Sequence, residues 1–205
     1  MAETRSVPLW VVTGPIAGGK SSVTALLAER GARVIDADLV GHDVLGDAGV
    51  VDELVCAFGS GILQQGRIER AALGRIVFAD AVALARLESV VHPLLSARLQ
   101  ELLAGIGLLV PPPPLAVVEA AVYFRLPPFG SVDLVILVTA EPELRLKRLT
   151  TSGPYADAEA RRRIEAQRPL LKDWRRPDIV LHNEGTPDEL RQAVTALWSE
   201  HLNGS

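Results

Sequence analysis

The chain has 205 residues, of which 48% are hydrophobic and only 4% aromatic, and its formal net charge is −4 at pH 7. This length allows one domain, or one domain with insertions, around a mainly aliphatic core. The mild negative charge gives no reason to expect a general nucleic-acid binder, because such proteins offer a positive surface to the phosphate backbone. The single cysteine, Cys56, cannot form an intramolecular disulfide, which favours a cytoplasmic location.

No membrane-spanning helix is predicted. The N-terminal segment MAETRSVP has no long apolar core, so it does not resemble a signal peptide. The most apolar stretch, residues 102–122, is interrupted by Pro111–Pro114 and contains Glu119. Because prolines break a helix and a carboxylate is costly in lipid, we reject a transmembrane helix there. We therefore expect a protein that binds neither nucleic acid nor membrane and exists as a monomer or small homo-oligomer.

Short apolar segments alternate with helical segments along the chain. The strand candidates are valine-rich runs, typical of parallel strands that are covered on both faces. In chain order, strands are predicted at 8–13, 32–36, 115–120, 132–138 and 178–182, and helices at 20–30, 142–150 and 187–201. The last helix opens on Thr186-Pro187-Asp188-Glu189, which has the pattern of a capping box. The alternation predicts an α/β fold with a parallel five-stranded sheet.

The stretch from Leu39 to Gly105 interrupts this alternation. It has helical periodicity and little strand signal. We interpret it as an insertion of helices between two strands of the sheet. Pro111–Pro114 would then return the chain to the sheet as a stiff, extended connector.

The turn after the first predicted strand carries the most informative motif. Residues 14–21 match G-x-x-x-x-G-K-[ST] between a strand and a helix, as a phosphate-binding P-loop requires. Glycines let backbone N–H groups turn toward phosphate oxygens, and the helix N-terminus adds its positive dipole end. Lys20 would reach the β- and γ-phosphates, and the Ser21 hydroxyl would bind Mg²⁺. The predicted nucleotide-binding residues of this loop are Gly14, Pro15, Ile16, Ala17, Gly18, Gly19, Lys20, Ser21 and Ser22.

Two carboxylates follow the second predicted strand. Asp36 and Asp38 lie at its C-terminal end, which is the edge where open α/β sheets bind ligands. If the chain stays extended, their spacing puts both carboxylates on one side. One of them could orient and deprotonate an acceptor hydroxyl in phosphoryl transfer. Alternatively, Asp38 caps the next helix, and the two roles are compatible.

Together these motifs resemble the dephospho-CoA kinase family over nearly the whole chain. The matching stretches follow in the family's order: TGPIAGGKSS, VIDADLV, RAALGRIVF, VVHPLL, KRLTTSG…RRRIEAQ and PDIVLHNEG. The resemblance implies a single domain with the three-layer P-loop NTPase fold, with the helical insertion at about 39–105 on the CoA side and a helical lid at about 148–168. It also implies that the protein transfers the γ-phosphoryl group of ATP, with Mg²⁺, to the ribose 3′-hydroxyl of dephospho-CoA in the last step of coenzyme A synthesis.

The resemblance implies roles for individual residues as well. Asp38 would be the base, with Asp36 in support, and Arg148 would lie close to the transferring phosphate together with Lys20. Outside the P-loop, the resemblance implies that Thr13 and His92 contact the substrate. It also implies that Asn183 and Gly185 lie near the nucleotide base.

On residue type alone, simpler interpretations exist. Arg148 could be a solvated helix charge paired with Glu141 or Glu143. Asn183 and Gly185 could form only a turn. A histidine before a proline, as at His92, is more often packed or in a turn than an acid or base, and the run Arg161–Arg163 can simply be solvated.

The chain also departs from the family's pattern. Pro15 stands where a second glycine is usual and removes one backbone N–H. The segment AVYFR, residues 121–125, replaces PLLfE, so that Ala121 and Arg125 stand for its proline and glutamate. Ser152 stands where a second lid arginine is usual, and four arginines could substitute for it: Arg161, Arg162, Arg163 and Arg168. Two alternatives therefore stay open, another small-molecule P-loop kinase and a non-catalytic nucleotide-binding homologue.

Overall fold

A computed structural model describes residues 7–151, 153, 155–167 and 177–202 of the chain. Two compact units are distinguished. The first comprises Met1–Asp36, Leu102–Arg125 and Gly130–Ser205, and the second comprises Ala37–Glu101 and Leu126–Phe129. Ser152 and Arg168, which the sequence analysis singled out, lie outside the described residues.

The helices and strands of the described residues are, in chain order, β1 (Leu9–Thr13), α1 (Lys20–Ala28), β2 (Arg33–Asp36), α2 (Ala37–Val44), α3 (Ala48–Phe58), β3 (Leu63–Gln64), β4 (Arg67–Ile68), α4 (Arg70–Val77), α5 (Ala81–Gly107), β5 (Ala116–Glu119), β6 (Leu134–Thr139), α6 (Pro142–Thr151), α7 (Asp157–Ala166), β7 (Ile179–His182) and α8 (Pro187–Leu202). Two short 3₁₀ turns, Ser60–Ile62 and Tyr123–Arg125, complete the set. Within these residues, no helix is both long and apolar enough to cross a bilayer.

The first unit is built on a parallel sheet with the strand order β2-β5-β1-β6-β7. The five strands and the three predicted helices α1, α6 and α8 are confirmed. β1 is central and all five of its residues are buried. In parallel sheets the carboxyl ends of the strands share one edge, so the ends of β1, β2, β5, β6 and β7 all open onto the same side.

An aliphatic core joins the sheet to α1 and α8. The side chains of Trp10, Leu27, Ile136 and Val194 belong to this cluster and are at most 1% exposed. Burial of side chains of this size contributes roughly 1.5–3 kcal/mol each. The core therefore fixes the position of α1, and with it the loop that connects α1 to β1.

The second unit contains the helices α2, α3 and α4, most of α5, and the antiparallel hairpin β3–β4. The sequence, which showed little strand signal in this stretch, did not predict this hairpin. Its strands have two residues each, too short for an alternating pattern to be visible in the sequence. The turn between them places Gln65 (φ 52°) and Gly66 (φ 77°) in the left-handed region, as the favoured two-residue hairpin turn requires.

Candidate active site

The glycine-rich loop between β1 and α1 has a conformation that two of its glycines make possible. Gly14 has φ 141°, and a Cβ atom there would lie 2.0 Å from the carbonyl oxygen of Val138. Gly19 has φ 105°, and its Cβ atom would lie 1.9 Å from Nδ2 of Asn183. Neither position accepts a side chain without displacing its neighbour. Because Gly19 immediately precedes α1 and has no side chain, it cannot cap the first N–H groups of that helix.

Other contacts close the loop around this helix terminus. The Gly18 N–H donates to the Pro15 carbonyl at 3.1 Å, and Lys20 Nζ donates to the same oxygen at 3.2 Å. The Ile16 N–H donates to Oε1 of Gln167 at 2.7 Å. The loop thus has the form of a cradle at the N-terminus of α1, with the ammonium group of Lys20 folded over it. Such a terminus attracts anions through its N–H groups and its dipole.

β5 contributes a carboxylate that the sequence analysis did not assign to the site. Glu119 accepts a hydrogen bond from Ser21 Oγ at 2.9 Å through Oε1 and one from Thr24 Oγ1 at 2.8 Å through Oε2. It ends the strand next to β1 and is in register with Asp36 of β2. The rule that ligands bind at the carboxyl ends of strands, applied to β5 as well as to β2, would have found Glu119.

The donor set around Ser21 fits a magnesium ion. A hydroxyl and carboxylates are the hard oxygen ligands that Mg²⁺ prefers. Ser21 and Glu119 supply them here, and Asp36 lies on the neighbouring strand in register with Glu119. The described residues contain no group of three or more His, Cys, Asp or Glu side chains that could hold a metal.

α6 places Arg148 against the loop. Arg148 Nη1 donates to the carbonyls of Ala17 at 3.1 Å and Gly18 at 3.5 Å, and Nη2 donates to the Asn183 carbonyl at 2.7 Å. The side chain of Asn183 is buried, and its Nδ2 donates to Gly18 at 3.0 Å. Arg148 is therefore not a solvated charge paired with Glu141 or Glu143, and Asn183 does more than form a turn. Both residues tie the ends of α6 and β7 to the loop.

A cavity of about 500 Å³ opens beside the loop, within the size range of small-molecule sites. Its walls come from the loop, from α1, from Arg148 and from the start of α8. The residues that line it are Ala17, Gly19, Lys20, Ser21, Ser22, Ala25, Leu26, Glu29, Arg148, Asn183, Gly185, Pro187, Leu190 and Arg191. It brings together most of the predicted nucleotide-binding residues, Gly185 included.

The helices α6 and α7 pack on the same loop. Leu146, Leu149 and Ala160 form an apolar cluster with Ile16 and Ala17. Two arginines of the run in α7 form ion pairs on the surface of their own helix. Arg161 donates to Asp157 at 2.8 Å, and Arg163 donates to Glu159 at 2.9 Å while lying over the ring of Tyr155. The hydrogen bond with Asp157 raises the pKa of Arg161.

The two aspartates lie on different elements. Asp36 ends β2, and α2 begins at Ala37. The chain therefore does not stay extended, and the condition under which both carboxylates would share one side is not met. Asp38 is exposed in the first turn of α2, where a negative charge interacts favourably with the helix dipole. It lies inside the helix, so the alternative that it caps α2 is wrong.

The predicted substrate contacts are distributed over both units. Thr13 ends β1 in the first unit and is fully buried, and its Oγ1 has no hydrogen-bond partner among the described residues. His92 is half-buried within α5 of the second unit, directly before Pro93. The roles of Thr13, His92 and Asp38 stay predictions.

Comparisons with known proteins show the family of the chain. A sequence profile described as dephospho-CoA kinase matches residues 9–189. The dephospho-CoA kinase of Geobacter sulfurreducens is 37% identical over 198 residues, which cover 93% of this chain and 97% of the relative. A crystal structure from Thermus thermophilus has a TM-score of 0.77 at 31% identity and covers 96% of this chain and 98% of its own. The dephospho-CoA kinase of Campylobacter jejuni, with a TM-score of 0.57 at 24% identity over 95% of this chain and 97% of its own, shares the fold. The chain therefore has the predicted P-loop kinase fold and belongs to the dephospho-CoA kinase family.

Proposed function

We propose that this protein transfers the γ-phosphoryl group of ATP to the ribose 3′-hydroxyl of dephospho-CoA, which gives coenzyme A. The observation that carries the proposal is the N-terminus of α1, which ends in the cradle of the glycine loop beside Lys20, Ser21 and Glu119. A cradle of this kind binds a chain of phosphates. Membership of the dephospho-CoA kinase family supplies the acceptor.

The first unit accounts for the nucleotide side of the reaction. The N–H groups at the start of α1 would bind the phosphate chain, and Lys20 would leave the Pro15 carbonyl to bind the β- and γ-phosphates. Arg148 already lies on the loop and would neutralise further negative charge. Gly185 lines the cavity, and Asn183 fixes the loop beside it. These two residues would lie near the nucleotide base.

Ser21, Glu119 and Asp36 would hold Mg²⁺. When bound, the ion neutralises the charge that develops on the transferring phosphoryl group. Glu119 orients the Ser21 hydroxyl through the 2.9 Å hydrogen bond. The Glu119 carboxylate would therefore both orient the Ser21 hydroxyl and help to hold the metal ion.

Asp38 would accept the proton of the ribose 3′-hydroxyl and hold that oxygen in line with the phosphoryl group. Thr13 and His92 would contact the substrate. The lid, roughly residues 148–168, would close over the reactants and exclude water, because an open site would hydrolyse ATP. The departures at residues 121–125, which include the 3₁₀ turn Tyr123–Arg125, would bear on the acceptor side.

Two alanine variants test the proposal. Lys20→Ala and Asp38→Ala should each lower the turnover of MgATP and dephospho-CoA by at least about a hundredfold, the scale expected for groups that transfer protons or stabilise charge. Asp38→Ala should still bind MgADP, because its carboxylate serves the acceptor. Lys147→Ala and Asp43→Ala, exposed residues of α6 and α2, are the matched controls.

Unimpaired turnover by Asp38→Ala would contradict its assignment as the base. A panel of other alcohols with labelled ATP separates the remaining candidates. Transfer to another acceptor, with none to dephospho-CoA, would identify a different small-molecule kinase. Tight nucleotide binding without transfer to any acceptor would identify a non-catalytic homologue.

A further inference from the structure

A strained turn of the glycine loop is held from two sides by hydrogen bonds. Ala17 has φ 58°, a left-handed conformation that is unfavourable for a residue with a Cβ atom. Such a conformation persists only where the surrounding structure imposes it. On one side, the Ala17 carbonyl accepts a hydrogen bond from Arg148 of α6 at 3.1 Å. On the other side, the N–H of the preceding residue, Ile16, donates to Oε1 of Gln167 at 2.7 Å.

The second of these contacts depends on a side chain to which the proposed function gives no role. Gln167 directly follows the last residue of α7, and its backbone N–H donates to the Ile164 carbonyl of that helix at 3.3 Å. Fixing the long side chain of Gln167 on the loop gives up rotamer entropy. Packing supports the contact, because Ile16 belongs to the same apolar cluster as Ile164 and the buried Ala160 of α7.

Gln167 has no direct place in the cavity beside the loop. Neither it nor Ile16 is among the described residues that line that cavity, whereas Ala17 and the first residues of α1 are. Any effect of Gln167 on a bound phosphate must therefore pass through the backbone of the loop. We infer that Gln167 is a positioning residue for phosphate binding, which fixes the Ile16 amide and thereby holds the turn at Ala17 ready for the phosphate chain of a nucleotide.

This inference rests on the proposed function only in taking the glycine loop as the nucleotide site. Loop donors that are already oriented bind an anion more tightly, because less conformational entropy is lost on binding. Coupling between two contacts is reciprocal. Phosphate bound to the loop must therefore strengthen the hydrogen bond between Ile16 and Gln167 by the same factor by which that hydrogen bond strengthens phosphate binding.

The first test measures binding of inorganic tripolyphosphate and of adenosine by calorimetry, without any acceptor. Gln167→Met, which has a similar length but no acceptor oxygen, should weaken tripolyphosphate binding about two- to tenfold, the range that corresponds to one neutral hydrogen bond. Adenosine, which has no phosphate, should bind equally to both proteins. Gln100→Met is the matched control, since Gln100 is an exposed glutamine of α5 in the second unit, and it should bind tripolyphosphate as the wild type does.

Hydrogen exchange of single amides, followed by NMR, measures the contact itself. The Ile16 amide should exchange several-fold faster in Gln167→Met than in the wild type. Gln167→Glu keeps an acceptor oxygen at the same reach, so in this free variant the Ile16 amide should stay as protected as in the wild type. Tripolyphosphate should slow exchange of the Ile16 amide in the wild type, and it should do so less in Gln167→Met.

Tripolyphosphate binding by Gln167→Met that equals the wild type would overturn the inference. An equal loss of adenosine and tripolyphosphate binding would also do so, because it would show general damage to the first unit. Faster exchange of the Ile16 amide in Gln167→Glu would show that the side-chain oxygen does not hold this amide. If Gln167→Met does not fold, the wild type decides, since an Ile16 exchange rate that tripolyphosphate leaves unchanged contradicts the coupling.

Lys20→Ala separates this inference from the proposed function. If Lys20→Ala weakens tripolyphosphate binding and Gln167→Met does not, only the role of Gln167 fails. If neither variant weakens it, the glycine loop is not the nucleotide site.

Discussion

Replacing Glu119 with glutamine or alanine separates its structural role from its role toward Mg²⁺. The carboxylate accepts hydrogen bonds from Ser21 at 2.9 Å and Thr24 at 2.8 Å. Glutamine has nearly the same shape and keeps one acceptor oxygen, but it carries no charge and its amide nitrogen can only donate. Alanine removes both acceptors.

The structure sets the magnitude of each effect. A hydrogen bond to a charged group contributes about 1.5–3 kcal/mol, but Ser21 is exposed, and Thr24 Oγ1 also lies 3.2 Å from the Ser21 carbonyl, which can replace the lost acceptor. We therefore expect Glu119→Ala to lower the free energy of unfolding by about 2 kcal/mol and Glu119→Gln by about 1 kcal/mol. Loss of a group that orients a metal ligand typically weakens metal binding about 10- to 100-fold.

The assay is a calorimetric titration of ADP with and without Mg²⁺, combined with urea unfolding of the free proteins. Glu119→Gln should bind ADP alone as well as the wild type, and it should lose most of the gain in affinity that Mg²⁺ provides. Glu141→Gln, which neutralises an exposed carboxylate on the loop before α6, serves as the control. A Glu119→Gln variant whose ADP affinity rises with Mg²⁺ as much as in the wild type would refute the reasoning.

Three further substitutions test the local geometry. Gly19→Ala should lower the free energy of unfolding by at least about 2 kcal/mol and abolish detectable ADP binding, because φ is 105° and the new Cβ would lie 1.9 Å from Asn183 Nδ2; normal ADP binding would contradict this. Ala17→Gly should raise the free energy of unfolding by about 0.5 kcal/mol in urea, since relief of the left-handed φ of 58° exceeds the entropy that glycine loses; a lower value would show that the loop is not strained there. Thr186→Ala should cost about 1 kcal/mol by loss of the helix cap, measured by thermal melts over pH. The backbone N–H of Thr186 and, to a lesser degree, its hydroxyl donate to Glu189 and lower its pKa, so the stability that Glu189 adds is present above its ordinary pKa and is lost as the pH falls through the lowered value; since alanine keeps the backbone donor, the acid dependence should shrink but persist in Thr186→Ala, and its complete loss would contradict the leading role of the backbone bond.

The parts of the fold that were predictable from sequence are those fixed by local patterns. Valine-rich runs such as Leu134–Thr139 favour buried strands through their own composition. Thr186 and Glu189 form a capping box within four residues of chain. The glycine loop is also local, because its residues provide the backbone conformation themselves. Its sequence therefore predicted the cradle and the place of Lys20 and Ser21.

Contacts between distant segments were not predictable in this way. Glu119 reaches Ser21 across 98 residues of sequence, and Gln167 reaches Ile16 across 151. Only the sheet order and the fold of α6 and α7 bring these pairs together. The position of Asp38 inside a helix was not predicted for a different reason, since α2 starts directly after the strand and no loop intervenes.

The most direct test of the central claim is the identity of the product. The protein is incubated with MgATP and dephospho-CoA, and the nucleotide products are examined by ³¹P NMR with correlation to the ribose protons. The account predicts ADP together with a new phosphate monoester coupled to the 3′ proton of the ribose, absent when Lys20→Ala is used. Unchanged dephospho-CoA, or a phosphate on any other oxygen of it, would contradict the account.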